Sequence, residues 1–147
     1  MPVARWLHLL GVVVWVGGMF FAYMALRPAA AALDPPVRLP LMAAAMTRFA
    51  AWVALAIVAI VASGLAMVTM QGGFGAVGTY VHVMAGIALA MIGLYVYLVA
   101  VPLREVRGGV AANDWPRAGR AMQRIRHLVA VNLALGVVVI SIAVLWR

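Results

Sequence analysis

The chain has 147 residues, of which 68% are hydrophobic and 10% charged, against about 45–50% and about 25% in a soluble domain. That balance excludes an ordinary soluble globule and a disordered chain. The basic residues are 11 arginines against three acids, for a net charge of +8, and in so apolar a chain this excess speaks for membrane orientation rather than nucleic acid. Cysteine is absent, which removes disulfides, thiolate metal sites and iron–sulfur clusters.

Four apolar runs follow one another, at about residues 6–26, 49–70, 79–103 and 128–146. A spanning helix needs roughly 20 apolar residues, and each run supplies them. The runs are continuous rather than alternating, which speaks against a β-barrel. The first run is longer than the apolar core of a signal peptide and three more follow it, so it reads as a retained helix. The expected fold is an all-α membrane protein: a single domain of four transmembrane helices in an antiparallel up-down bundle.

The connections differ in character. Residues 27–48 hold Pro28, Pro35, Pro36 and Pro40, which predict a bent loop. Residues 71–78 are short, uncharged and rich in glycine, a tight turn between antiparallel neighbours. Residues 104–127 carry most of the charge. Within them Asn113-Asp114-Trp115-Pro116 has a polar cap before a first-turn proline, the signature of a helix start. Arg117, Arg120 and Arg124 then recur on one face, which predicts a helix on the lipid surface leading into the fourth span.

With four spans, both termini and the 71–78 turn lie on one side, with Arg5 and Arg147. The other side holds Arg27, Arg38, Arg48, Arg104, Arg107, Arg117, Arg120, Arg124 and Arg126. The positive-inside bias therefore places the two longer loops in the cytoplasm and both termini outside. In a bacterium this means a multi-pass protein of the inner membrane with periplasmic termini.

Ionisable groups inside spans are costly and mark function. His8 and His82 each stand about one turn into a span that starts on the outer side. At 1.5 Å per residue their depths agree within a few ångströms, and the first and third spans of such a bundle are diagonal. Two imidazoles at one depth predict a shared ligation site, with His8 and His82 as axial ligands of a haem iron. Gly11 and Gly86 would clear space beside them, and Trp15 and Leu89 would flank the macrocycle. The same glycines equally suit close helix packing, and each imidazole equally suits a backbone carbonyl. Met67 and Met70 end the second span on the outer side. Thioether sulfur suits Cu(I) with imidazole as companion, so His8, His82, Met67 and Met70 also form a candidate copper site. His127 joins the arginine-rich boundary. Ser63, Asn132 and Ser141 are expected to bond across helices or to backbone carbonyls, and Trp6, Tyr80 and Trp146 to form an outer aromatic belt. No Asp, Glu or Lys lies within a span, which speaks against a carboxylate proton relay. Nucleophile-elbow, P-loop, dinucleotide and zinc-protease motifs are absent.

From Arg5-Trp6-Leu7-His8 through Trp15-Val16-Gly17-Gly18-Met19-Phe20, the sequence resembles the CopD family, the copper-resistance protein D-like membrane proteins. Leu26-Arg27-Pro28, Tyr80-Val81-His82 and Asp114-Trp115-Pro116 share the likeness. The resemblance implies copper passage across the membrane. The chain is more weakly similar to the HemJ-type protoporphyrinogen oxidase family, four-span proteins thought to hold haem, but has no match for that family's Lys in the third span.

Three functions are open to these residues, and the paired histidines, the glycines beside them and the absence of cysteine favour the first, with copper as the runner-up. The first is haem b held by His8 and His82 near the periplasmic face, for membrane electron transfer with a redox partner protein or a quinone. The second is copper transport or resistance through the His/Met site. The third is a cofactor-free structural subunit of a membrane complex. A lipid bilayer is the expected surrounding, a homo-oligomer is compatible with it, and nucleic acid is not expected.

Overall fold

A computed structural model describes residues 1–146. Arg147, counted above on the outer side, lies outside the described residues. Among these residues all the regular elements are helices, as a solvent without hydrogen-bonding partners demands of a spanning chain. We number them α1 (Pro2–Ala30), α2 (Pro35–Met70), α3 (Thr79–Ala100), α4 (Pro102–Ala111) and α5 (Trp115–Leu145). Four helices, α1, α2, α3 continued by α4, and α5, are long and apolar enough to cross a membrane. They form the antiparallel bundle that the four apolar runs predict.

The helices outrun the apolar stretches, and here the structure corrects the sequence reading. Residues 35–48 are the first turns of α2 and not a bent loop. Pro35 and Pro36 occupy the first turn, where the missing N–H groups have no intrahelical partner to lose. Pro40 forfeits one bond, to the Pro36 carbonyl, and Leu39, Met42, Ala43 and Met46 around it are buried. Pro28 is likewise inside α1. Its ring would press on the Met24 carbonyl in a regular helix. The preceding turn, Ala22–Leu26, is instead wound wide, with the Arg27 N–H on Ala22 O. Such a π-turn relieves the clash.

The third run ends earlier than expected. The helix breaks at Val101 (φ −118°, ψ −79°), just before Pro102, as the residue preceding a proline is prone to do. α4 then continues to Ala111. Asn113 reverses the chain with φ 52°, and Asp114 caps α5 by accepting the Arg117 N–H at 3.1 Å. The expected helix start is therefore where the chain signals it. The arginine-rich segment, however, is not a separate surface helix. It is the first third of α5, unbroken to Leu145, and Ala118, Ala121 and Ile125 on its apolar face are buried. A Cβ on Gly109 would stand 2.9 Å from the Ala118 nitrogen, so α4 and α5 meet backbone to backbone. The exposed Glu105–Arg124 ion pair joins the same two helices and adds little at such exposure.

The bundle is built from close pairs. α1 lies along α2, and α3 along α5, while α5 also touches α1 and α2. Lipid is as apolar as leucine, so contact between spans rests on packing and buried hydrogen bonds. Gly18 supports Phe49 of α2, and a Cβ on Gly136 would stand 2.9 Å from Val16 of α1. Tyr95 Oη donates to Ala50 O at 2.7 Å, and Asn132 Nδ2 to Met91 O at 3.3 Å. Trp15 is buried in this centre, edge-on to Tyr95 at 6.5 Å. Ser63 and Ser141 bond the carbonyls four residues back, so all three polar groups behave as expected. The turn after α2 takes its reversal at Gly72 (φ 98°) and Gly73 (φ 88°), conformations natural only to glycine.

Candidate functional site

His8 is half-buried, one and a half turns into α1. It turns toward α2 and not toward α3. Its Nδ1 lies 3.1 Å from Ile60 O and 3.2 Å from Ser63 Oγ. A carbonyl only accepts, so Nδ1 carries the proton in the neutral ring. Ser63 sends its own hydroxyl proton to Ala59 O and offers its lone pair to the same Nδ1–H. Gly64 gives the ring room: a Cβ there would stand 3.4 Å from His8 Cε1. The outcome is an imidazole with a fixed tautomer and a free lone pair on Nε2. Metal-binding histidines are commonly held this way, by an N–H···O=C bond on the far nitrogen.

Met67 stands four residues beyond Ser63 and seven beyond Ile60, on the face of α2 that holds His8 and about 6 Å nearer the C-terminal end of α2 at 1.5 Å per residue. It is partly buried. Met70, a further turn outward, is 60% exposed. By helical spacing, two thioethers therefore follow Ile60 and Ser63, the residues that hold the His8 imidazole, toward the C-terminal end of α2. Among the described residues no three His, Cys, Asp or Glu side chains gather as a metal centre.

His82 is in the first turn of α3 and exposed. Its Nδ1 lies 3.4 Å from Gly78 O, and its ring 5.9 Å from that of Phe74. The two histidines thus have their contacts on different elements. The residues expected beside them also divide. Gly11 is filled rather than open, since a Cβ would stand 2.6 Å from Ile60 Cγ1 and 3.0 Å from Ala56 O. Gly86 meets nothing within 4 Å, and Leu89 is 70% exposed. The line His82, Gly86, Leu89 is an outward stripe of α3. Trp15 belongs to the central core, against Tyr95. His127 is exposed in the first half of α5, next to Arg126.

Sequence reasoning missed the role of Ser63 and the Ile60 carbonyl in holding His8. The available signal was that Ser63 is the only hydroxyl in the middle of the second apolar run, opposite an imidazole in an antiparallel neighbour.

A model of the copper resistance protein D family matches residues 43–146. The match takes in most of α2 and all of α3, α4 and α5, with α1 outside it. No curated protein and no solved structure matches the chain.

Proposed function

The chain belongs to the copper resistance protein D family, and from that premise we propose that it takes up Cu(I) at the outer mouth of a four-helix membrane bundle. His8 is the anchoring ligand, with Met67 and Met70 as thioether partners. The observation that carries this reading is the Nδ1 of His8 on Ile60 O and Ser63 Oγ, which leaves Nε2 as the coordinating nitrogen beside a methionine-bearing helix face. Neutral imidazole and thioether are a donor set suited to a soft monovalent ion and poor for hard cations. The copper is cargo, and its role is transport or resistance. The setting we propose is a bacterial inner membrane with both termini in the periplasm, supported by the nine arginines from Arg27 to Arg126 at the opposite end of the bundle.

Replacing Met67 and Met70 together with leucine is expected to weaken Cu(I) binding by about tenfold or more while leaving the helical fold intact, because the two side chains have similar volumes. Titration against a chromogenic Cu(I) chelator measures this. Unchanged affinity in the double variant would remove the methionines from the site. For orientation, a reporter fused after residue 147 is expected to be active outside, and one inserted at the 112–114 turn inside. The reverse pattern would put His8 at the cytoplasmic end and refute uptake from the periplasm.

A second reading is haem b between His8 and His82, serving electron transfer with a redox partner protein or a quinone. It draws on the shared arrangement of the two rings, since each Nδ1 lies near a backbone carbonyl and each Nε2 is free. The surrounding residues fit the macrocycle poorly: Ile60 occupies the space beside Gly11, and the His82 stripe points away from the bundle. An absorption spectrum of the purified protein decides between the readings. Sharp low-spin bands on reduction that disappear in both His8→Ala and His82→Ala would favour haem.

A further inference from the structure

The inner end of the bundle, opposite the copper mouth, holds a cavity of about 250 Å³ between α1, α2 and α5. Ten arginines lie among the described residues. Seven of them are exposed, and the remaining three, Arg27, Arg38 and Arg126, are partly buried. All three line this cavity, and no carboxylate does. Arg27 stacks on Tyr23 with its guanidinium carbon 5.6 Å from the ring centre. Arg38 sends one N–H to Leu33 O at 3.2 Å. Neither contact neutralises a charge.

Three guanidinium groups partly withdrawn from water around one space, with no carboxylate in its lining, make a setting that an anion would stabilise. Guanidinium forks match the oxygens of phosphate. Apart from Tyr23 and Gln123, the rest of the lining is apolar, and it includes Met42, Met46 and Met122, residues whose flexible side chains mould to irregular ligands. The cavity also sits where the apolar run of α1 gives way to Arg27 and Pro28, the kind of boundary that faces lipid headgroups. Basic pockets between spans on the cytoplasmic side bind anionic lipid heads.

We propose that this cavity is a phosphate-oxyanion site filled by the head of an anionic phospholipid, with Arg27, Arg38 and Arg126 on the phosphate and the methionines against the glycerol and first acyl carbons. The site is independent of the copper reading, since it lies at the other end of the bundle and shares no residue with it.

Native mass spectrometry of the full-length chain in detergent, offered equal amounts of phosphatidylglycerol and phosphatidylcholine, tests the proposal. The wild type is expected to retain phosphatidylglycerol at least tenfold better than phosphatidylcholine. Arg38→Gln combined with Arg126→Gln should abolish that preference, whereas Arg120→Gln, at an exposed position away from the cavity, should keep it. Gly119→Leu provides a variant that keeps every charge. Gly119 lines the cavity and a Cβ there meets nothing within 4 Å, so leucine fills the space without disturbing the helix contacts, and lipid retention should fall as in the double variant. Inorganic phosphate that binds with the same arginine dependence, in the absence of any lipid preference, would support the oxyanion site with free phosphate as its source. Equal retention of the two lipids without arginine-dependent phosphate binding, or a preference unchanged in the double variant and in Gly119→Leu, would overturn the proposal.

Discussion

Gly11→Leu is expected to destabilise the bundle by about 1–3 kcal/mol or more, the cost of overpacking a closed interface, whereas Gly86→Leu is expected to leave stability unchanged. Gly11 is buried, with Ile60 Cγ1 2.6 Å and Ala56 O 3.0 Å from where a Cβ would stand. The isoleucine side chain can turn aside, but the carbonyl belongs to the backbone of α2 and cannot. A larger residue therefore has to push α1 and α2 apart. That movement also draws His8 away from Ile60 O and Ser63 Oγ, so Cu(I) affinity should fall with stability. Gly86 has open space around it, and leucine there gains only lipid contact. Thermal unfolding in detergent, followed by circular dichroism, measures the first effect, and chelator competition the second. The pair of variants also separates the two functional readings: a haem held between the histidines would be expelled by Gly86→Leu, while the copper site would not notice it. Equal destabilisation by the two substitutions would mean that α3 packs where α1 does.

His8→Ala is expected to weaken Cu(I) binding by more than about 10–100-fold, the range seen when only an outer partner of a metal ligand is removed. His82→Ala is expected to change it by less than about threefold. The asymmetry follows from geometry, because His8 is half-buried on the methionine-bearing face of α2 and His82 is exposed on α3. Ser63→Ala removes one of the two acceptors that fix the His8 tautomer and leaves the Ile60 carbonyl in place. Its effect should be intermediate, about tenfold at most. The same chelator titration ranks all three. If His82→Ala costs as much as His8→Ala, the two imidazoles act together and the seam between α1 and α2 is not the site. If neither substitution matters, copper binds elsewhere.

Much of this molecule is written in its sequence, because the bilayer imposes simple rules. An apolar run of about 20 residues has to become a helix, since no other structure satisfies its backbone in lipid. The four spans, their antiparallel order and the turn at Gly72 and Gly73 follow from that. Asp114 before Trp115-Pro116 marks the start of α5 by local capping chemistry alone, and the structure shows the bond to the Arg117 N–H. The short polar side chains in the spans also declare themselves, since each of Ser63, Asn132 and Ser141 has to find a carbonyl in a medium that offers no water.

Two matters were decided only by tertiary packing. One is where helices stop. Pro40 argues locally for a loop, yet the residues around it are buried against the rest of the bundle, and that packing outweighs one lost hydrogen bond. The arginine-rich start of α5 is likewise straightened by α4, through contacts between residues distant in sequence. The other is which way each helix is turned about its axis. A soluble helix announces its inner face by its polar one. α3 is apolar all round, so nothing in its sequence distinguishes the direction of His82 from that of Met91. Its rotation is set by Tyr95 reaching Ala50 O and by Asn132 reaching Met91 O. Those bonds turn Met91 to the core and leave His82, Gly86 and Leu89 outside. His8 was settled the same way, by the closeness of α2 at Gly11. The sequence therefore places one imidazole near the start of α1 and another near the start of α3, and only the packed helices decide which of them faces a neighbouring helix.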